Sequence, residues 1–278
     1  MSEPDARPRG EPPASVGGVP ADDVDCLPLD PDQIRALTTV TARGGLVVFP
    51  AETVYGIATD PDDADAVRRM AELKRRDPAK PSSVLFWSVD DALATLEGAP
   101  APVLRAVSRL LPGPIGLIVP NPQRRFAPAC GEDPTTLGIR VPLLGERVIA
   151  APIGGAPAAG ASIAAAPTAG PLAAGPRIAG PPAAGGPQAR RAGPRLPWPP
   201  IVQTSANLAD GPDPTTLAAV PAAVRAGADL LLDAGERPGV PSTIVDLRGI
   251  TDVAPGGWRI VREGPITAAA IAVALSGP

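Results

Sequence analysis

The stretch from Gly44 to Pro81 reads GGLVVFPAETVYGIATDPDDADAVRRMAELKRRDPAKP. After a glycine pair, Leu46-Val47-Val48-Phe49 is a short apolar run, rich in β-branched residues and closed by Pro50, which is the pattern of a buried strand. Glu52-Thr53-Val54-Tyr55-Gly56 reads as a polar turn that returns to apolar residues. Asp60 to Asp65 then offers N-cap side chains and first-turn acids suited to the positive end of a helix dipole. Ala64, Val67, Met70, Ala71 and Leu73 follow at helical spacing. They predict a helix over 64–76 that finishes in Lys74-Arg75-Arg76, with Pro78 and Pro81 barring its extension. A strand, a polar turn and a helix ending in three cations, all within one compact unit, make a candidate anion site.

Toward the N-terminus, residues 1–26 carry Pro, Gly, Ala, Asp and Arg without apolar period and predict a disordered tail. Pro31 opens a helix over 31–43 with Ile34, Leu37 and Val40 on one face. Toward the C-terminus, strands are expected at 83–87, 115–119 and 137–142, helices at 89–96 and 103–111, and a loop at 124–133. Residues 152–199 are dominated by Pro, Ala and Gly and predict a flexible or polyproline-like insertion without catalytic residues. Beyond it, strands are expected from Pro200, at 230–233, within 239–246 and at 258–262, with helices at 217–226 and 267–275. The alternation defines an α/β class with a mixed sheet. Folded structure is expected over 27–278, interrupted by the insertion.

Composition narrows the function. The chain has 278 residues, 44% of them hydrophobic but only 3% aromatic, with 40 prolines and 30 glycines. A formal net charge of −4 argues against binding nucleic acid over the whole surface, and leaves weak RNA binding to a local basic patch. Cys26 and Cys130 lie far apart and in no CxxC, so neither a disulfide framework nor a cysteine metal site follows. With no apolar run of about 20 residues and no leader-like N-terminus, the expected setting is the cytoplasm, away from any membrane. The chain has no histidine, which excludes a Ser-His-Asp triad, a Cys-His pair and histidine-ligated metal. An enzyme built from it works through carboxylates, cations and positioning.

Single motifs are weak. Lys74-Arg75-Arg76 suits a solvated helix end, Ser205-Ala206-Asn207 a turn or N-cap, and Ser242-Thr243 an ordinary strand entry. Arg140, inside the apolar run Leu137-Gly138-Ile139-Arg140-Val141, must meet an anion, either in a structural ion pair or in a ligand. Neither a GxxxxGK[ST] loop nor a GxGxxG between strand and helix is present.

In combination and order the motifs say more. FPAETVYG, KRR with a following KP, LPGP, LGIRVP, SANLADGPDPTT, PSTIVD and IVREGPI together resemble the YrdC/Sua5 family, the threonylcarbamoyl-AMP synthases. The resemblance covers roughly residues 30–278 outside the insertion, and looks like the short form without a further C-terminal domain. It implies a twisted α/β domain around a concave cavity. It also implies a nucleotidyltransferase that makes threonylcarbamoyl-AMP and pyrophosphate from L-threonine, bicarbonate and ATP, supplying proteins that modify tRNA with N6-threonylcarbamoyladenosine. ATP would enter as substrate with Mg2+, with no tightly bound cofactor and no protein metal site. By resemblance, Lys74 and Arg76 are the catalytic cations and hold the phosphates. Ser205 and Asn207 hydrogen-bond the triphosphate, and Thr136 and Arg262 fall at nucleotide contacts. Ala51, Arg140, Gln203 and Ser242 face L-threonine, with Arg140 forking onto its carboxylate.

The chain departs from the family pattern mainly on the amino-acid side. Ala51 stands for a Thr, the family's His is replaced near Leu85, Gly116 stands for a Thr, and Pro241 stands for a Glu. Two alternatives stand beside the synthase: a non-catalytic nucleotide- or RNA-binding module, and a related enzyme activating a different carbamate.

Overall fold

The computed structural model describes residues 26–145, 198–253 and 256–276. The tail and nearly all of the expected insertion lie outside these residues. Trp198 and Pro199 do not, and they belong to the packed domain. The Trp198 ring stands edge-on to Trp87 at 5.9 Å, and the Trp87 indole N–H donates to the Pro199 carbonyl at 2.8 Å.

Helix α1 is Pro31–Thr41, started by a reciprocal cap in which the Asp30 and Gln33 side chains accept each other's backbone N–H. β1 (Val47–Pro50) and β2 (Tyr55–Thr59) form an antiparallel hairpin. The expected turn therefore narrows to 51–54, and Tyr55 and Gly56 open a strand that sequence alone does not show. Small residues at Gly56 and Ala58 blur its alternation. α2 runs over Ala64–Leu73, capped by the Asp63 side chain, and stops three residues short of the expected end. β3 (Ser83–Leu85), α3 (Val89–Thr95), α4 (Ala101–Leu110), β4 (Ile115–Pro120) and β5 (Thr136–Arg140) follow, with a 3-10 turn at Ala127–Cys130 inside the expected loop. After β6 (Ile201–Ser205), the helix expected at 217–226 is only Ala222–Gly227, α5. Pro221, lacking an N–H and clashing with the carbonyl four residues back, cannot sit mid-helix. β7 (Leu230–Leu231), β8 (Thr243–Asp246), β9 (Arg259–Arg262) and α6 (Ala268–Ser276) complete the described chain.

The nine strands among the described residues form one mixed, twisted sheet in the order β7-β1-β2-β6-β3-β5-β4-β8-β9. Its two faces differ in kind. Tyr55, Ile57, Val84, Leu117, Ile139, Val202 and Val245 point to one face, where α2 to α6 bury them in the main core. On the other face α1 covers only one end, setting Ile34 and Leu37 in a second core with Val47, Phe49, Ala58 and Ile201. Period-two alternation then puts Gly56, Ser83, Gly116, Arg140, Gln203 and Ser205 on the uncovered part of that face. A floor of small and polar residues with no helix over it is a cleft. No helix among the described residues is long and apolar enough to cross a membrane.

Candidate functional site

The cleft holds about 250 Å³ and is lined by Arg76, Arg140, Arg262 and Asp213 among its charged residues. The early end of α2 forms one wall. Arg75 adopts a left-handed backbone (φ 52°), the Arg76 N–H donates to the Ala71 carbonyl at 2.8 Å, and the Arg75 N–H donates to the Glu72 carbonyl at 2.9 Å. This is the closing pattern of a helix C-terminus, with arginine where glycine is usual. The reversal brings Lys74 and Arg76, two residues apart, both to β6. A continued helix would have splayed them to different sides.

Lys74 is 2% exposed, a correction to the expectation of a solvated helix end. With the helix ended, its stem runs inward and its ammonium donates to the Ser205 carbonyl and, at 3.0 Å, to Asn207 Oδ1. Burial, then the charge of Arg76, lowers its pKa to about 8, while Asp213 acts in the opposite sense. Ser205 Oγ donates to Asn207 Oδ1 at 2.7 Å, and Asn207 Nδ2 donates to the Gly211 carbonyl. Arg76 donates to the Pro81 carbonyl at 2.7 Å and to Thr204 Oγ1 at 3.4 Å, and its Nε is buried without a partner. Burial lowers its pKa as well. Among the described residues, neither Lys74 nor Arg76 forms an ion pair.

The opposite end is built around Arg140 at the end of β5. Its guanidinium pairs with Glu52 at 2.7 Å and donates to Ser242 Oγ at 3.1 Å. The anion that Arg140 requires is therefore present within the protein. Burial pushes the Glu52 carboxyl up, and Arg140 beside it pulls the other way. Arg237 donates to the carbonyls of Ala51 and Glu52 at 3.0 and 3.2 Å, fixing the 51–54 turn. Arg262, reaching from β9, donates twice to the Ser242 carbonyl, at 3.0 and 2.8 Å. Ala51, Gln203 and Ser242 also line the cleft.

Lys74 and Asn207, bonded to each other behind the wall, do not line the cleft, and two further sequence-marked positions fall elsewhere. Thr136 begins β5, at the opposite end of the strand from Arg140, where it donates to Asp133 at 2.6 Å and accepts from Arg248; it does not line the cleft. Leu85 pairs in register with Arg140, but its fully buried side chain packs into the second core. It supports the floor rather than marking a lost polar contact. Gly116 does line the cleft, and a Cβ there would meet nothing closer than 3.8 Å, so a side chain would fit.

Sequence reasoning missed Glu52 and Asp213 as site residues. The rule that made Arg140 notable, a charge in an apolar run, applies equally to Glu52 between Phe49-Pro50 and Val54-Tyr55. The separation of 88 residues hid the pairing. Among the described residues, no group of three or more acids and cysteines is placed to hold a metal.

Residues 39–145 and 192–264 match the Sua5/YciO/YrdC family, described as telomere recombination. A threonylcarbamoyl-AMP synthase of Chromohalobacter salexigens is 34% identical over 127 residues, covering 45% of this chain and 67% of that protein. One of Thiobacillus denitrificans is 38% identical over 100 residues, covering 36% and 52%. The P. abyssi Sua5 structure complexed with L-threonine superposes with a TM-score of 0.59 at 22% identity, over 88% of this chain and 57% of that one. The matched stretches thus span from about half to two thirds of these relatives' own lengths. The chain belongs to the Sua5/YciO/YrdC family.

Proposed function

We propose that the cleft makes threonylcarbamoyl-AMP and pyrophosphate from L-threonine, bicarbonate and ATP. The carrying observation is the convergence of Arg76, Ser205, Arg140, Ser242 and Arg262 on one cleft, with Lys74 and Asn207 bonded behind it. The amine of threonine attacks the bicarbonate carbon and water leaves, giving a carbamate without a protein nucleophile. A carbamate oxygen then attacks the α-phosphorus of ATP, forming the new P–O bond as the bond to pyrophosphate breaks. Such a displacement needs alignment and charge stabilisation, which a histidine-free site with several cations can supply. Arg76 takes the developing negative charge of the phosphates with Lys74 adding its charge from behind, Ser205 orients them with Asn207 braced against it, and Arg262 closes the side toward β9. Mg2+ arrives with ATP as part of the substrate. The product is a mixed anhydride, so its partners are cytoplasmic threonylcarbamoyl-transfer proteins acting on tRNA.

Ala51 and Gly116 present no hydroxyl to the amino-acid end, which favours an acceptor range wider than threonine alone. One assay separates the readings: pyrophosphate release from ATP and bicarbonate with each amino acid in turn. Dependence on threonine supports the synthase, dependence on another acceptor supports activation of a different carbamate, and ATP binding without release supports a non-catalytic module.

A further inference from the structure

The Glu52–Arg140 contact is an incomplete pair. One carboxylate oxygen meets one guanidinium nitrogen at 2.7 Å, while Glu52 Oε1 and Arg140 Nε are both buried and both unpartnered. Arg and carboxylate normally join by two parallel bonds, and a buried polar atom left without a partner is costly. Here the guanidinium is held by one prong, shared with Ser242, and lines the cleft. Glu52 is 1% exposed and sits behind that wall, with its backbone carbonyl held by Arg237. At the far end, Lys74 and Arg76 bond only to neutral oxygens, with no carboxylate paired to either.

We propose that Glu52 is the positioning residue of the amino-acid end: it aims Arg140 into the cleft by a single bond and cancels its charge. That end then favours the carboxylate of a zwitterionic α-amino acid over phosphate, with Arg262, held on the Ser242 carbonyl, as the cation left beside it. The inference rests on reading the cleft as an ATP and amino-acid site, and it adds what sorts the two substrates to their ends. A cleft cationic throughout would let the triphosphate bind in either orientation. A cation neutralised by a buried acid leaves local hydrogen-bond donors without the long-range pull on a polyanion.

The test uses Glu52→Gln, which keeps the shape but removes the charge and so weakens the bond that aims Arg140. In the pyrophosphate assay the KM for threonine is expected to rise about tenfold while the KM for ATP stays within about twofold. Inorganic phosphate, which should compete only with ATP in the wild type, is expected to compete with threonine as well. The double variant Glu52→Gln/Arg140→Gln is expected to lose that second competition. Unchanged KM for threonine, or no gained competition by phosphate, overturns the proposal. So does a parallel rise of both KM values with a lowered melting temperature, the mark of a merely structural role.

If Glu52→Gln does not fold, Glu52→Asp carries the test. Its shorter side chain keeps the charge, so phosphate stays excluded while the KM for threonine rises; a wild-type KM overturns the proposal. If the wild type releases no pyrophosphate with any amino acid, the reading of the site fails, and titration calorimetry with inorganic phosphate still judges Glu52. A second phosphate site gained in Glu52→Gln supports it, and an unchanged site count overturns it.

Discussion

At one end of the cleft Lys74 and Arg76 lean on carbonyl, amide and hydroxyl oxygens; at the other Arg140 leans on the carboxylate of Glu52. Both ends are cationic in sequence; at the second a buried acid offsets Arg140, while Arg262 rests on the Ser242 carbonyl. Neutral acceptors order a cation without discharging it, whereas a buried acid discharges it and leaves its remaining donors for short-range contact. On the proposed function, the same residue types would serve a polyanion at one end and a zwitterion at the other, according to what stands behind them.

The sharpest way to break the contrast is to discharge the first end. Lys74→Met keeps the stem packed and removes the ammonium. Loss of this charge behind the phosphate end is expected to weaken ATP binding by about 10- to 100-fold, while the melting temperature holds because no buried charge is stranded. Arg76→Ala is expected to weaken ATP to a similar degree. Calorimetric ATP affinities equal to wild type in both variants would place the nucleotide elsewhere.

A second, smaller effect comes from pH. Lys74 has its pKa lowered from 10.5 to about 8 in the folded chain. Between about 8 and 10.5 the unfolded chain therefore binds the extra proton, and this lysine's contribution makes the folded state more stable as pH rises through that window. ATP affinity is expected to move the opposite way, falling above pH of about 8 as the ammonium is lost. Both slopes should be absent in Lys74→Met. Denaturant melts and ATP titrations across this range check the pair, and an identical pH dependence in wild type and Lys74→Met refutes it.

At the other end the expected effects concern choice rather than affinity. Ala51 and Gly116 line the cleft, and a Cβ at Gly116 has at least 3.8 Å of clearance. Wild type is expected to discriminate weakly between threonine and serine, since no hydroxyl at these positions meets the substrate's. Ala51→Thr or Gly116→Thr is expected to raise the threonine preference in kcat/KM about tenfold, the scale of one modest pocket contact. A strict threonine preference in wild type that neither variant changes removes both residues from the side-chain pocket.

How much of this was legible in the sequence varies by end. The first end lies mostly within two short runs, Lys74-Arg75-Arg76 and Ser205-Ala206-Asn207, each weak alone and legible through the family resemblance of the ordered motifs. What spacing could not give was the burial of Lys74, because a helix was expected to run to 76 and Arg75 carries no sequence mark of a left-handed turn. The second end is assembled from residues 52, 140, 237, 242 and 262, and no local pattern links Glu52 to Arg140. The sheet was legible where apolar residues are large, as in β1, β4 and β5. It was not legible in β2, where Gly56 interrupts the apolar alternation and a Cβ would lie a tight 3.1 Å from the Phe49 ring. Pro221 sets the start of α5, because it cannot sit inside the helix that the apolar spacing of 217–226 suggests.

Arg75 supplies the finest test of how the two ends differ. The amino-acid end aims its cation through an ion pair, whereas the phosphate end aims Lys74 and Arg76 through a backbone turn. That turn costs energy, since a left-handed conformation brings the Cβ of an L-residue against its own backbone, at roughly 1 kcal/mol. Glycine adopts the same conformation without that contact. Arg75→Gly is therefore expected to raise stability by about 1 kcal/mol, partly offset by the greater freedom glycine has in the unfolded chain. Because the turn itself is kept, Lys74 and Arg76 should remain on β6, with ATP affinity and kcat unchanged. Denaturant unfolding measures the first expectation and the pyrophosphate assay the second. A variant that loses ATP binding while gaining stability would show that Arg75 touches the nucleotide with its side chain. A variant that loses stability would show that the turn is not left-handed in solution, and that the route by which α2 delivers its two cations is wrong.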